Sequence, residues 1–92
     1  MDKKLDYTAN ILKTIGHPIR VDIIRRIYEN QVLSVSDIQE LLNVSQPVIS
    51  LHLGILKKKG IINSSKKGKQ SFYFIKKQSV SQIIQILYYD SI

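Results

Sequence analysis

The segment from residue 32 to residue 62, VLSVSDIQELLNVSQPVISLHLGILKKKGII, constrains the fold most strongly. It holds two short apolar-periodic stretches, separated by a polar turn at Asn43 and followed by a lysine run and Gly60. Apolar residues that recur every three or four positions are typical of amphipathic helices. The segment therefore predicts two helices joined by a tight turn, which is the pattern of a helix-turn-helix.

The first helix of this pair is predicted to begin at Ser34. The spacing Ser34-x-x-Asp37 resembles a capping box, in which the serine hydroxyl accepts a backbone N–H and the acidic residue favours the positive helix end. Ile38, Leu41 and Leu42 are predicted to form the buried side of this helix.

The second helix of the pair is predicted to start after Ser45, which is suited to the N-cap, and to end at Gly60. Pro47 is tolerated because amides of the first helical turn have no intrahelical partner. The positions that recur at one helical face predict the buried side as Ile49, Leu53 and Leu56.

The opposite face of the second helix carries residue types that suit base reading. The amide of Gln46 is able to make a bidentate contact to adenine, Ser50 can bond to base edges or phosphate, and Leu51 offers apolar contact to a thymine methyl. His52 either reaches a phosphate or packs against a neighbouring helix, and Gly54 reflects either a close DNA backbone or no constraint. The predicted DNA contacts on this helix are Ser45, Gln46, Pro47, Ser50, Leu51, His52, Gly54 and Lys58.

The flanking sequence completes a mainly α fold with a small β-hairpin. Helices are predicted over residues 3–15 and from residue 18 to about residue 28, with His17 at the second N-cap. Strands are predicted over residues 61–66 and 70–75, and a last helix from a capping box at Ser79-x-x-Gln82. The order α-α-α-α-β-β-α is that of a winged helix-turn-helix, treated as one domain over residues 1–92.

The charge balance favours a polyanionic partner. Fourteen Lys and Arg against seven Asp and Glu give a net charge of +7, for which double-stranded DNA is the leading candidate and an anionic membrane the second. Lys57, Lys58 and Lys59 alone suit a solvated helix end, but together with the hairpin lysines they favour phosphate contact. The predicted DNA contacts of the hairpin are Lys66, Lys67, Gly68 and Lys69.

The stretches LKTIGHPIRVDIIRRI, LSVSDIQELLNVSQPVISLHLGILKKKGII and KKGKQSFYFI resemble the ArsR/SmtB group of dimeric winged-helix transcriptional repressors. The resemblance implies DNA contacts at Gln46, Pro47, Ser50 and Leu51 and at the hairpin tip, and a structural role for the end of the second strand. It also implies a homodimer through the first and last helices, which agrees with their excess of apolar residues. The predicted dimer interface is Leu5, Ile11, Leu12, Ile83, Ile86, Leu87 and Tyr89.

The sequence departs from the metal-sensing members of that group. They often carry Cys-x-Cys at the start of the third helix, where this chain has Ser34-Val35-Ser36, and the chain contains no cysteine. Hydroxyls are poor ligands for soft or borderline ions. Residues 79–92 also contain no histidine. We therefore expect no metal site and no cofactor, and the effector stays unknown.

Other functions are also compatible with parts of the sequence. A protein-interaction module would use Leu51, Phe72 and Phe74, and a non-specific DNA-coating protein would need only the positive charge. No nucleophile, base and orienting group come together in the sequence, so an enzyme is not expected. With no apolar run of spanning length and no signal-peptide pattern at the N-terminus, we expect a cytoplasmic protein.

Overall fold

The computed structural model describes residues 2–90, and it has the winged helix-turn-helix architecture expected from the sequence. Two helices lead into a short strand and the helix-turn-helix, which a β-hairpin and a last helical segment follow. The elements are α1 (Lys3–Ile15), α2 (Pro18–Asn30), β1 (Leu33–Ser34), α3 (Val35–Leu42), α4 (Gln46–Lys58), β2 (Ile62–Lys67), β3 (Gln70–Ile75), α5 (Gln78–Ile84) and a π-helical turn (Gln85–Tyr89).

The junction between α1 and α2 is built by local capping. Gly16 caps the C-terminus of α1, and its amide donates to the carbonyl oxygen of Leu12 at 3.0 Å. His17 caps α2 as expected, because its Nδ1 accepts the amide of Ile19 at 3.2 Å. The second helix continues to Asn30, two residues beyond its predicted end at residue 28.

The helix-turn-helix begins with the expected capping box. The amide of Asp37 donates to Ser34 Oγ, and the amide of Ser34 donates to Asp37 Oδ2, both at 3.1 Å. Asn43 ends α3 in the left-handed region at φ 53°. Ser45 occupies the N-cap of α4, but its side chain makes no capping hydrogen bond, so that part of the expectation was wrong.

The end of α4 sets the direction of the hairpin. Gly60 has φ 73°, a value at which glycine carries no steric penalty. Its amide donates to the carbonyl oxygen of Lys57 at 3.0 Å, and the amide of Ile61 donates to that of Leu56 at 3.1 Å. These two bonds form a Schellman motif, which stops the helix and turns the chain into β2.

The hairpin belongs to a three-stranded antiparallel sheet of order β1-β3-β2. The two-residue loop has a positive φ at Gly68 only, the pattern of a type II′ turn. Strand β1 was not predicted because it is two residues long, with Leu33 opposite Tyr73. Tyr73 and Ile75, at the end of β3, pack against the core, which confirms the structural role that the resemblance implied for the end of this strand.

A single apolar cluster holds the helices and the sheet together. The predicted inward residues of α4 belong to this cluster, whereas Leu41 of α3 is 41% exposed and was wrongly assigned to the buried side. Ile38 is the buried residue of α3, and Leu42 packs partly against the core. The most deeply buried residues are Ile23, Ile24, Ile27, Ile38, Ile49, Leu53, Leu56, Ile61, Ile62 and Val80.

The last helical segment differs from its prediction at the start. Helix α5 begins at Gln78 with Lys77 at the N-cap and no side-chain capping bond, so the predicted capping box at Ser79 is wrong. The segment then widens into the π-helical turn, where the amide of Asp90 donates to the carbonyl oxygen of Gln85 at 3.1 Å. Val80 and Ile84 anchor the segment in the core.

Candidate nucleic-acid interface

The outward side of α4 forms a compact exposed surface. Ile49, Leu53 and Leu56 are buried on the inward side, so the residues on the other side of the helix point to solvent. We call the outward set the reading face: Gln46, Pro47, Ser50, Leu51 and Gly54, all of which are exposed. Ser45 lies exposed just before it and Lys58 just after it.

Two polar side chains of the reading face are already in contact. Gln46 Nε2 donates to Ser50 Oγ at 3.4 Å, a distance typical of a weak hydrogen bond. The carboxamide oxygen of Gln46 and its second N–H then remain to bond outward, as does the hydroxyl hydrogen of Ser50. The pair therefore presents both a donor and an acceptor beside Leu51, whose side chain is 61% exposed.

Packing within the chain does not explain the glycine on the reading face. A Cβ built on Gly54 would meet no heavy atom within 4 Å. Glycine in a helix interior costs about 1 kcal/mol relative to alanine. Of the two interpretations left open by the sequence, close approach of a DNA backbone would make use of this missing side chain.

Positive charge lies beside the reading face on two elements. Lys58 is exposed at the end of α4, while Lys57 donates from Nζ to Ser64 Oγ of β2 at 2.9 Å and so links the helix to the hairpin. The predicted hairpin contacts Lys66, Lys67, Gly68 and Lys69 are all exposed at its tip.

His52 does not share the exposure of its neighbours. It is only 8% exposed, and its ring lies against that of His17 with 4.7 Å between the centroids. Burial lowers the pKa of His52, and the nearby His17 and Arg20 lower it further. The packed interpretation is therefore the one that the structure has, and we drop His52 from the candidate DNA contacts.

The arginines of α2 are held by an ion-pair network within the helix. Arg25 binds Asp22 at 2.6 Å and Glu29 at 3.2 Å, and Arg26 lies 3.6 Å from Asp22. Both guanidinium groups are therefore engaged with carboxylates of their own helix. Arg20 is placed near His52 instead, and its Nε has no partner among the described residues.

Sequence reasoning missed a contact between α2 and the chain end. The Tyr89 hydroxyl donates to Glu29, and the Arg25 guanidinium lies 4.8 Å from the centre of the Tyr88 ring. Burial and the bond to Glu29 raise the pKa of Tyr89 to about 12, and the same bond lowers the pKa of Glu29. The i, i+3 and i, i+4 spacing of the α2 charges was visible in the sequence, but their tyrosine partners were not.

The terminal helices expose large apolar side chains. We call this set the terminal apolar surface: Leu5, Leu12, Ile86 and Leu87, each more than half exposed. Of the other predicted interface residues, Tyr89 is 37% exposed and Ile83 packs partly against the core. Ile11 is buried in the core of its own chain, so we remove it from the predicted interface.

Among residues 2–90, no group of three or more His, Cys, Asp or Glu side chains is arranged to hold a metal ion. Ser34, at the position of the first family cysteine, is engaged as a helix cap. Within the same residues, no helix has both the length and the apolar character needed to cross a bilayer.

Comparisons with known proteins agree with this geometry. Residues 17–64 match the family model described as bacterial regulatory protein, arsR family. The chain is 32% identical over 88 residues to the biofilm growth-associated repressor of Xylella fastidiosa, covering 96% of this chain and 76% of that protein.

Solved structures of similar proteins share the fold over nearly their whole length. The transcriptional repressor PagR of Bacillus anthracis has a TM-score of 0.84 at 31% identity, covering 91% of this chain and 95% of that one. HlyU of Vibrio cholerae has a TM-score of 0.91 at 27% identity, covering 99% and 98%; HlyU of this species is named a transcriptional activator. The chain therefore belongs to the arsR family of bacterial regulatory proteins and is a DNA-binding transcriptional regulator.

Proposed function

We propose that this regulator acts as a homodimeric repressor that binds an imperfect inverted repeat through the reading face of α4 and the lysines of the hairpin tip. The observation that carries this proposal is the exposed polar face of α4 beside an exposed basic hairpin. In helix-turn-helix proteins the second helix of the motif enters the major groove, and a wing contacts the flanking backbone or minor groove.

Base reading is assigned to the N-terminal half of α4. Gln46 and Ser50 supply the hydrogen-bonding groups, and Leu51 supplies an apolar surface for a thymine methyl. Pro47 and Gly54 add no polar group and permit close approach. Because Gln46 and Ser50 bond to each other, we expect them to recognise adjacent bases as a unit.

Phosphate binding is assigned to Ser45, Lys58 and the hairpin. The hairpin lysines Lys66, Lys67 and Lys69 make no ion pair among the described residues. Their ammonium groups therefore exchange only water and counterions for phosphate oxygens. These contacts position the protein on DNA without specifying a sequence.

Dimerisation is assigned to the terminal apolar surface. Each of its four residues exposes apolar area that would leave water against a second copy, at about 25 cal/mol per Å². A chain of 92 residues buries only about 60–65% of its unfolded surface, so it gains more from such association than a larger domain does. A symmetric pair would carry two reading faces, which suits an operator with two-fold symmetry.

Repression is supported by two of the similar proteins that are named repressors, the Xylella fastidiosa protein and PagR. A dimer that covers a promoter prevents polymerase from binding there. The absence of cysteine further leads us to propose that metal ions do not relieve repression through the start of α3.

Selection from a pool of random duplexes tests the proposed function. We expect recovery of an inverted repeat with half-site centres about one helical turn apart. On the selected duplex, neutralisation of about eight phosphates per dimer predicts a slope near −7 for log affinity against log salt. Equal affinity for all duplexes would instead indicate a DNA-coating protein. An affinity that does not depend on salt would contradict the proposed phosphate contacts.

A further inference from the structure

The contact between His17 and His52 has no role in the proposed DNA reading. His17 is the N-cap of α2, and His52 lies on α4 next to the reading face. Their rings are inclined at 44° with centroids 4.7 Å apart. Two titratable side chains therefore join the start of α2 to the helix that is proposed to enter the major groove.

The surroundings of His52 offer little compensation for a positive charge. The side chain is buried, and its Nδ1 has no hydrogen-bond partner among the described residues. Helix α4 packs against α1, α2, α3 and β2. The buried residues of α1, α3 and β2 are uncharged: Ile11, Thr14, Ile15, Ile38 and Ile62.

The charged groups that act on His52 come from the α2 side, and they repel a proton. Arg20 is positive and His17 becomes positive when protonated, and both lower the pKa of His52 after the larger effect of burial. The N-terminus of α2, which His17 caps, adds a partial positive charge of its own. The neutral imidazole is therefore the form that fits this contact.

His17 is held in this contact by its place in the helix cap. Its Nδ1 accepts the amide of Ile19 at 3.2 Å, which fixes the ring at the start of α2. The position of His52 on α4 is therefore tied to the beginning of α2.

We propose that the His17–His52 contact makes the packing of α4 against the start of α2 sensitive to protons. With the His52 imidazole neutral, this packing is retained. Protonation of His52 loosens that packing and lowers specific DNA affinity, and this second effect rests on the proposed function.

The direction of the pH dependence follows from the depressed pKa of His52. Its unfolded value is about 6.5, and the folded value lies below it. Between these two values the unfolded chain binds more protons than the folded one. The stabilising contribution of neutral His52 is therefore complete above about pH 6.5 and is lost as the pH falls through the folded pKa.

Urea unfolding of the full chain tests this packing of α4 without any DNA. We expect the midpoint of the wild-type protein to fall between about pH 7.5 and about pH 5.5, and the fall to shrink in His52→Gln and His52→Leu. Two replacements are used so that one poorly packed variant does not decide the result. His17→Asn keeps an N-cap residue and removes a titrating neighbour, so it should raise the His52 pKa measured by nuclear magnetic resonance.

The proposal would be overturned if the urea midpoint fell by the same amount on acidification in the wild-type protein and in both His52 variants. A measured His52 pKa at or above its ordinary value would also overturn it. Either result would mean that the histidine contact is not the acid-sensitive part of the fold.

DNA binding provides the second measurement, with the duplex selected by the wild-type protein at neutral pH and a random duplex as control. We expect the ratio of specific to random affinity to fall about threefold on acidification, a change of about 0.7 kcal/mol. His52→Gln should hold its ratio nearly constant. A ratio that rises in acid for the wild type alone would overturn the DNA part. Failure to select any duplex would count against the proposed function. The unfolding measurements would still test the proton sensitivity of the packing between α4 and α2.

Discussion

The reading face and the terminal apolar surface lie on helices anchored in one core, yet they differ in chemistry. The reading face has two hydrogen-bonding side chains and a single large apolar one, Leu51. The terminal apolar surface consists of four leucine or isoleucine side chains, with Ile86 61% and Leu87 67% exposed. Polar, compact surfaces suit a charged and hydrated DNA groove, whereas exposed large apolar residues suit protein contacts. The difference supports the proposal that each surface has its own partner.

Negative charge placed on the terminal apolar surface should have the largest effect, which is loss of the dimer. The double substitution Ile86→Asp, Leu87→Asp should give a monomer, because a buried interfacial cluster typically contributes about 2 kcal/mol or more per central residue. Light scattering after size exclusion measures the mass, and affinity for the selected inverted repeat should fall with it.

The matched control for that double substitution is Gln82→Asp on the same helix, where the residue is exposed and polar. It should leave the mass unchanged. A dimer that survives the double substitution would show that the protomers meet elsewhere.

Removal of the polar groups of the reading face should have the next largest effect. Gln46→Ala or Ser50→Ala should cost about 1–3 kcal/mol on the selected sequence and little on random DNA. Because the two side chains bond to each other, the double substitution should cost less than the sum of the single ones. Strict additivity in a double-mutant cycle would show that the two side chains contribute to binding independently.

Leu51 distinguishes DNA from a protein partner at the same face. Leu51→Ala should weaken the selected duplex and leave dimer mass unchanged, because the side chain points to solvent. Unchanged DNA affinity together with loss of another protein complex would favour the interaction-module alternative.

The hairpin lysines should act on all sequences alike. Lys67→Ala or Lys69→Ala should reduce the salt slope by about one each and weaken specific and random duplexes by similar factors. Filter or anisotropy titrations at several salt concentrations give both values. A loss confined to the selected sequence would move these residues from phosphate contact to base reading.

The smallest expected effect concerns Gly54, and it has opposite signs in stability and binding. Gly54→Ala should stabilise the protein by about 1 kcal/mol, since the added Cβ meets nothing within 4 Å. If a DNA backbone approaches there, affinity should decrease at the same time. Higher stability with unchanged affinity would mean that this glycine is not under a functional constraint.

Local signals predicted most of the architecture because they depend on neighbouring residues. The Ser34–Asp37 capping box, the His17 cap and the stop at Gly60 all formed as expected. Each requires only residues within a few positions. The helix periodicity also placed the inward face of α4 correctly.

The errors occurred where distant packing decides the outcome. His52 lies at the edge of the α4 face, and its burial depends on residues distant in sequence, such as His17, whose ring centroid lies 4.7 Å away. The capping pattern at Ser79 did not form because α5 begins two residues earlier, with Lys77 at the N-cap and Gln78 as its first residue. The contact between Tyr89 and Glu29 joins residues 60 positions apart, and no periodicity indicates it.

Footprinting of the wild-type protein on the selected duplex tests most directly whether the reading face binds DNA while the terminal apolar surface pairs the protomers. The proposed arrangement predicts two protected half-sites with centres about 34–36 Å apart on one face of the DNA. The variant with aspartates at positions 86 and 87 should lose both half-sites together. A single protected half-site in the wild type, or protection that the double variant retains, would contradict the assignment.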